Sequence, residues 1–297
     1  MLRNLMVCLV TTAAVLSVST AAFALDNDLV LSRYATFDPQ QFGDCTNACG
    51  IVDPNEALFQ GLVTDLGQVL APRLAAPAET LGEAGFAFNM MTSFSFVDDS
   101  AEHWQQGVQD RDPESTLSTG HLQIRKGLPF SFEIAGDMSY LFSSEMFTLG
   151  AALKWAINEG FYYFPDLAFR GTVNTVMGAR DLNLYTAGGD MSISKAFGIA
   201  GLVVVTPYVG YQMLFLIGSS RLLNAFPQDP RPPQFDRDTP SGTGSTTFSP
   251  EFVFSQYDTN VNRFFVGTRL NVWILNFLVE GVIADVPQLT FAGGVDF

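Results

Sequence analysis

Basic residues are scarce in this chain. Fifteen Lys and Arg stand against thirty Asp and Glu in 297 residues, for a formal net charge of −15. Nucleic acid is thereby excluded as a partner, because binding it needs a basic face that displaces counterions. Histidine is scarcer still, with only His103 and His121, so imidazole acid or base chemistry has two places to reside. Cysteine occurs three times, at Cys8, Cys45 and Cys49; no histidine neighbours the last two and their spacing is not Cys-x-x-Cys, so neither a metal nor a redox centre is expected. Helical periodicity is convincing in one segment alone, which argues against all-α and soluble α/β folds. Charge of either sign is low at 15%, hydrophobic content is high at 47%, and mean hydropathy is +0.21.

Residues 1–24 carry one basic residue (Arg3), an apolar core from Leu5 to Val18, and Ala22-Phe23-Ala24 as a small-x-small cleavage site. This is the pattern of a secretory signal peptide. Removing it leaves 14 basic against 30 acidic residues, a mature net charge of −16. In an exported, oxidising setting Cys45 and Cys49 are expected to close a small disulfide loop.

Residues 25–83 are polar and punctuated. Asp53-Pro54-Asn55-Glu56 reads as a helix start, with Asp53 as cap, Pro54 at the first helical position and Glu56 completing a capping box. Leu58, Phe59, Leu62, Val63, Leu66, Val69 and Leu70 then recur at helical spacing until Pro72, predicting an amphipathic helix over 54–71. Its apolar stripe favours docking on something greasy, and its polar face lacks the Lys and Arg of a lipid-surface helix. The expected placements are inside a lumen, at a periplasmic mouth, or as a periplasmic extension.

From residue 84 onward the period changes to two. Phe86, Phe88, Met90, Phe94 and Phe96 alternate with Ala87, Asn89, Met91, Ser93 and Ser95; Phe130, Phe132, Ile134, Met138 and Tyr140 alternate with Ser131, Glu133, Ala135, Asp137 and Ser139. Similar runs recur to the end of the chain, where Leu289, Phe291, Val295 and Phe297 oppose Thr290, Ala292, Gly294 and Asp296. About ten such segments match the alternating template, each long enough to cross a bilayer as a tilted strand. The terminal strand ending on Phe297 resembles the closing strand of bacterial outer-membrane β-barrel proteins. That resemblance, with the export signal, implies an all-β fold: a transmembrane antiparallel up-and-down barrel of about ten strands over 84–297, preceded by the segment 25–83. Twelve strands is the alternative, if Phe252, Phe254 and Tyr257 mark one more and Leu29, Leu31 and Arg33 another. The rival reading of residues 196–220, uncharged throughout, as a membrane helix is weakened by Thr206-Pro207, several glycines and β-branched residues. The resemblance further implies outer-membrane localisation, contact with lipid and lipopolysaccharide, and recognition by the barrel-assembly machinery through Phe297.

Parity assigns His121, Arg125, Glu133, Asp137, Lys154, Arg170, Asp190, Arg269, Glu280 and Asp296 to the inner face. Their charges nearly cancel, so the lumen is expected to be a narrow polar passage for a small molecule, an ion-pair network, or a cavity filled by residues 25–83. An Arg125–Glu133 pair is a specific expectation. Residues 98–116 carry six acidic residues against Arg111, without EF-hand spacing, and 227–245 join a proline-rich stretch to a Gly/Ser-rich one; both are expected to be outer loops. His103 lies in the first of them, and His121 lacks a nearby serine, so no catalytic residue is assigned and no cofactor is expected. Two functions follow from these residues: a gated or filled barrel that binds or passes a small molecule, and a closed barrel that meets partners through its outer loops.

Overall fold

The computed structural model describes residues 26–38, 51–73, 75–109, 113–161, 163–199, 202–224 and 251–297. Residues 1–24, expected to be an export signal, Cys45, Cys49, residues 110–112 and the 227–245 stretch lie outside the described residues. Ten antiparallel strands close the main sheet, to which the three-residue Phe197–Ile199 adds a short pairing with Val203–Val205: β1 (Phe86–Phe96), β2 (Thr116–Leu128), β3 (Phe132–Leu141), β4 (Phe147–Asn158), β5 (Asp166–Met177), β6 (Leu182–Ser194), β7 (Val203–Ser220), β8 (Tyr257–Val272), β9 (Leu275–Ile283) and β10 (Gln288–Asp296). Each pairs with its neighbour in the chain, and β10 pairs with β1 from Gln288↔Ser95 to Asp296↔Ala87, so the sheet closes. At this seam Phe86 and Phe297 exchange two backbone hydrogen bonds, 2.6 and 2.8 Å, and their rings lie 5.4 Å apart. The strand count is ten, not twelve. Leu29 forms only an isolated bridge to Val108, Leu31–Tyr34 is a 3-10 turn, and Glu251–Phe252 pairs with Leu223–Asn224 outside the barrel. Residues 203–220 are strand rather than helix, and among the described residues no helix is long and apolar enough to cross a membrane.

The two faces of the sheet invert the distribution of a water-soluble protein. Outward positions such as Phe88, Met90, Ile124, Ile134, Met138 and Leu153 are exposed, while inward Asn89, Gln123, Glu133, Asp137, Thr148 and Lys154 are buried. In water such an exterior would drive aggregation; in lipid it is the favourable surface, and closure leaves no unpaired strand edge. Phe130, Tyr163 and Trp273 stand exposed at the end of the barrel where the sheet's two termini lie, and Tyr140, Phe142 and Tyr185 ring the other end. Connections at the terminus end include the three-residue 129–131 and the two-residue 273–274, whereas the two longest, 97–115 and 221–256, lie opposite. Short turns beside the termini mark the periplasmic side and long loops the outer side.

The N-terminal segment reaches the outer end, not the periplasmic mouth. A ribbon of Ala35–Asp38 and Ile51–Pro54 leads into helix α1 (Glu56–Val69). Its cap is Asn55, whose side chain accepts from the Leu58 N–H at 3.4 Å; Asp53 and Pro54 are held in the ribbon instead, with Asp53 opposite Thr36. Phe59, Leu62, Val63 and Leu66 are fully buried among Leu117, Leu141, Leu182 and Leu184, inward residues at the outer ends of β2, β3 and β6, and against Trp104 and Phe254 of the outer loops. Phe59 stacks on Phe254 with centroids 4.7 Å apart. Gly218 makes this close docking feasible, because a Cβ there would lie 2.6 Å from Val63. The short helix α2 (Glu102–Gly107) of the first outer loop is tied to α1 by Asp65, which accepts from Trp104 Nε1 at 3.0 Å and meets His103 Nε2 at 2.8 Å.

Candidate functional site in the barrel interior

From the end of α1 the chain runs down the barrel to the start of β1 as an extended strap over residues 70–85, without regular secondary structure among the residues described. Its composition explains its slimness: Ala71, Ala75, Ala76 and Ala78 are buried and occupy little width. Wall side chains satisfy its main chain along the way, as a buried backbone requires. Near the outer end Asn174 Nδ2 donates to the Leu70 carbonyl at 2.7 Å, and the Gln68 carbonyl accepts from Gln288 Nε2 at 2.9 Å and Arg263 Nη1 at 3.3 Å. Midway Ala75 packs with Met91, Tyr208, Phe265 and Leu278. Lower down, Ser194 Oγ accepts from Ala78 N–H at 3.1 Å, Lys154 Nζ donates to the carbonyls of Pro77 (3.2 Å) and Glu79 (2.8 Å), and Glu133 Oε2 accepts from Leu81 N–H at 3.1 Å. At the periplasmic rim Glu159 accepts from Thr80 N–H at 2.8 Å, and Gly127 N–H donates to the Gly85 carbonyl. Gly127 is required here, since a Cβ would meet the Gly82 carbonyl at 1.8 Å.

The inward residues read from parity group around this strap. Arg125 lies 3.5 Å from Glu133, and Lys154 shares that same Glu133 oxygen at 3.1 Å. Arg170 pairs with Asp190 at 2.8 Å. His121 sits between Thr119 Oγ1 (3.0 Å) and Asp137 Oδ2 (3.3 Å), buried in the wall. Glu280 accepts from Tyr208 Oη at 2.7 Å. Arg269 meets Glu79 of the strap and lies 3.8 Å from Asp296. Three groups escaped the sequence reading. Arg263, among the largest fully buried side chains, donates from Nε (3.0 Å) and Nη2 to Gln212 Oε1. Arg73 enters from the strap, within electrostatic range of Glu280 and Asp137, and Glu79 does so below it. His103, in the first outer loop, pairs with Asp65 of α1. Tyr34 donates to the His103 carbonyl, and burial, reinforced by Asp65, pushes its phenol up, so it remains a donor. Among the described residues no cluster of metal-ligating side chains forms.

Glu133 is the keystone of the lower wall, because two cations and one strap N–H converge on it. Glu133→Gln leaves Arg125 and Lys154 buried and under-compensated, at an expected cost of about 3 to 5 kcal/mol. Its unfolding temperature in detergent, followed by heat-modifiable gel migration, should fall further than that of Arg125→Gln. Equal or absent shifts would contradict the shared pairing.

A closed antiparallel barrel with an apolar outer band, a polar interior, short turns on the side of its termini and long loops opposite defines this chain as an outer-membrane β-barrel. No family model matches it, and no curated protein does. Among solved structures, the attachment invasion locus protein Ail of Yersinia pestis is 11% identical over 72% of this chain and 99% of that one, with a TM-score of 0.27. The KdgM porin is 7% identical over 71% and 98%, at 0.30. An outer membrane channel from Pseudomonas putida F1 is 12% identical over 76% and 100%, at 0.34. Likenesses this shallow carry no argument about what the chain binds or passes.

Proposed function

We propose that this barrel is a gated conduit for a small hydrophilic solute, shut at rest by its own N-terminal strap and outer cap. The observation supporting this reading is the unspent polarity of the wall. Buried polar atoms facing the interior, among them Asn89 Oδ1, Gln123 Nε2, Asp137 Oδ1, Thr186 Oγ1 and Asp190 Oδ1, have no hydrogen-bond partner among the described residues. A wall evolved only as a packed core would satisfy such groups or replace them, since each orphaned atom costs about 1 to 3 kcal/mol. A wall that meets water and solute when the strap shifts aside has reason to keep them.

Single-channel conductance in planar bilayers tests this. The full mature chain should be silent or nearly so, and a chain beginning near Leu81 should conduct, with heat-modifiable migration showing that both are folded. Silence from both folded forms would favour the second reading, a closed barrel acting at the cell surface. One observation favours that reading: residues 26–38 and 51–69 lie at the outer end, where Asn27 and Asp28 bond to Ser143 and Glu145 of one outer connection and Leu31 bonds to Asp181 of another.

A further inference from the structure

Two of the strap's three charges, Arg73 and Glu79, meet opposite deficits in the wall, while the third, Glu83, is exposed at the periplasmic rim. In the middle of the lumen Arg170 and Arg263 face Asp137, Asp190 and Glu280, two cations against three carboxylates, and Arg73 makes up the difference. Toward the periplasmic end Arg125, Lys154 and Arg269 face Glu133 and Asp296, three cations against two carboxylates, and Glu79 makes up that one. Glu159 and Lys126 lie at the rim just below, where they hold strap main chain and Thr80 rather than these cations.

The lower group is under-supplied with acceptors even with the strap in place. Arg125 reaches its wall carboxylates only at 3.5 and 3.7 Å, and Arg269 reaches Asp296 at 3.8 Å, all longer than the roughly 2.7 to 2.9 Å of a charge-assisted hydrogen bond. Arg125 Nε, Arg269 Nε and Nη1, and Gln123 Nε2 are buried donors without a hydrogen-bond partner among the described residues; the side chains of Arg125 and Arg269 are only 2% and 7% exposed. Among the described residues, the strap supplies two of the three acceptors of Lys154, through the Pro77 and Glu79 carbonyls, and the single hydrogen-bonded acceptor of Arg269, through the Glu79 carboxylate. Lifting the strap therefore leaves an excess positive charge and a fan of vacant donors. A carboxylate, planar and able to take parallel bonds from a guanidinium, fits that vacancy.

We propose that Arg125, Lys154 and Arg269 form a recognition station for a small carboxylate solute, and that the strap keeps the barrel shut by presenting Glu79 and its neighbouring carbonyls as an internal stand-in for that solute. This rests on the gated-conduit reading. Solute arriving from the periplasmic side competes with Glu79, and the strap loses its lower anchor.

Succinate is a suitable probe, with chloride at equal ionic strength and putrescine as controls, applied to the full mature chain in planar bilayers. Succinate is expected to raise the open probability severalfold, and chloride and putrescine to leave it unchanged. Glu79→Gln should open without solute, raising open probability by about tenfold, the worth of one charge-assisted hydrogen bond. Equilibrium dialysis of radiolabelled succinate against folded Glu79→Gln in detergent should show saturable binding that is lost on adding Arg269→Gln. No binding, or an equal response to all three solutes, overturns the proposal. A silent Glu79→Gln beside a conducting chain that begins near Leu81 overturns the stand-in role while the conduit reading survives; silence of the shortened chain removes the conduit itself.

Discussion

Leu66→Asp should expose the N-terminal segment to protease added outside intact cells. Leu66 is fully inaccessible within the cluster formed by α1, the outer ends of the strands and the loop residues Trp104 and Phe254. Removing the isobutyl group alone costs about 2 to 5 kcal/mol, and an unpaired carboxylate in its place adds a desolvation penalty of similar size. The seal formed by α1 is a local unit of buried apolar contacts, so this loss falls on the docked helix while the barrel's backbone ladder stays intact. Arg33, shielded in the native cap by bonds to the Val108 and Gln109 carbonyls, becomes a trypsin site. Cleavage after Arg33 in whole cells expressing Leu66→Asp, and not in wild type, is the expected result. Cleavage that requires a broken outer membrane would place the cap on the periplasmic side and reverse the orientation derived from loop lengths.

The second large effect is expected at Gln212. Its amide oxygen takes two bonds from Arg263, and the third bond of that guanidinium goes to the Gln68 carbonyl at the base of α1. Gln212→Leu removes the principal acceptor and strands a buried cation, which should cost about 3 to 5 kcal/mol. Adding Arg263→Leu deletes the stranded charge, and because breaking a buried polar pair costs more than replacing it whole, the double variant should regain most of the loss. Unfolding temperatures of the four forms in one detergent give the cycle directly. Additive losses would mean that Arg263 is compensated elsewhere, by Glu280 or Asp190.

The barrel was legible in the sequence because lipid imposes a strict alternation, and ten runs of it map onto ten strands. Legibility failed where inward residues are themselves apolar or aromatic. Phe264 and Phe265 are adjacent, which blurs the alternation just where Arg263 shares the inward parity of Arg269. Leu117, Leu141, Leu182 and Leu184 sit at inward positions near the outer ends; this local switch from polar to apolar lining was the signal for a docked helix and for the end it docks at. The Asp53 cap lost to Asn55 because the ribbon pairing with Thr36 draws Asp53 into extended backbone, a contact no local propensity encodes. Arg73 and Glu79 lie in a stretch of Ala and Pro with neither period, so nothing marked them as part of the lumen.

The direction of the strap constrains the order of assembly. The described residues ahead of it rest on the outer side, and residues after it begin β1 on the periplasmic side. Passing a folded cap of some dozens of residues through a finished ring would require it to unfold and to expose every bond that Asn174, Ser194 and Lys154 now hold. Wrapping an open sheet around the strap avoids that step. On that route the Phe86–Phe297 contact is a clasp closed over a thread already in place.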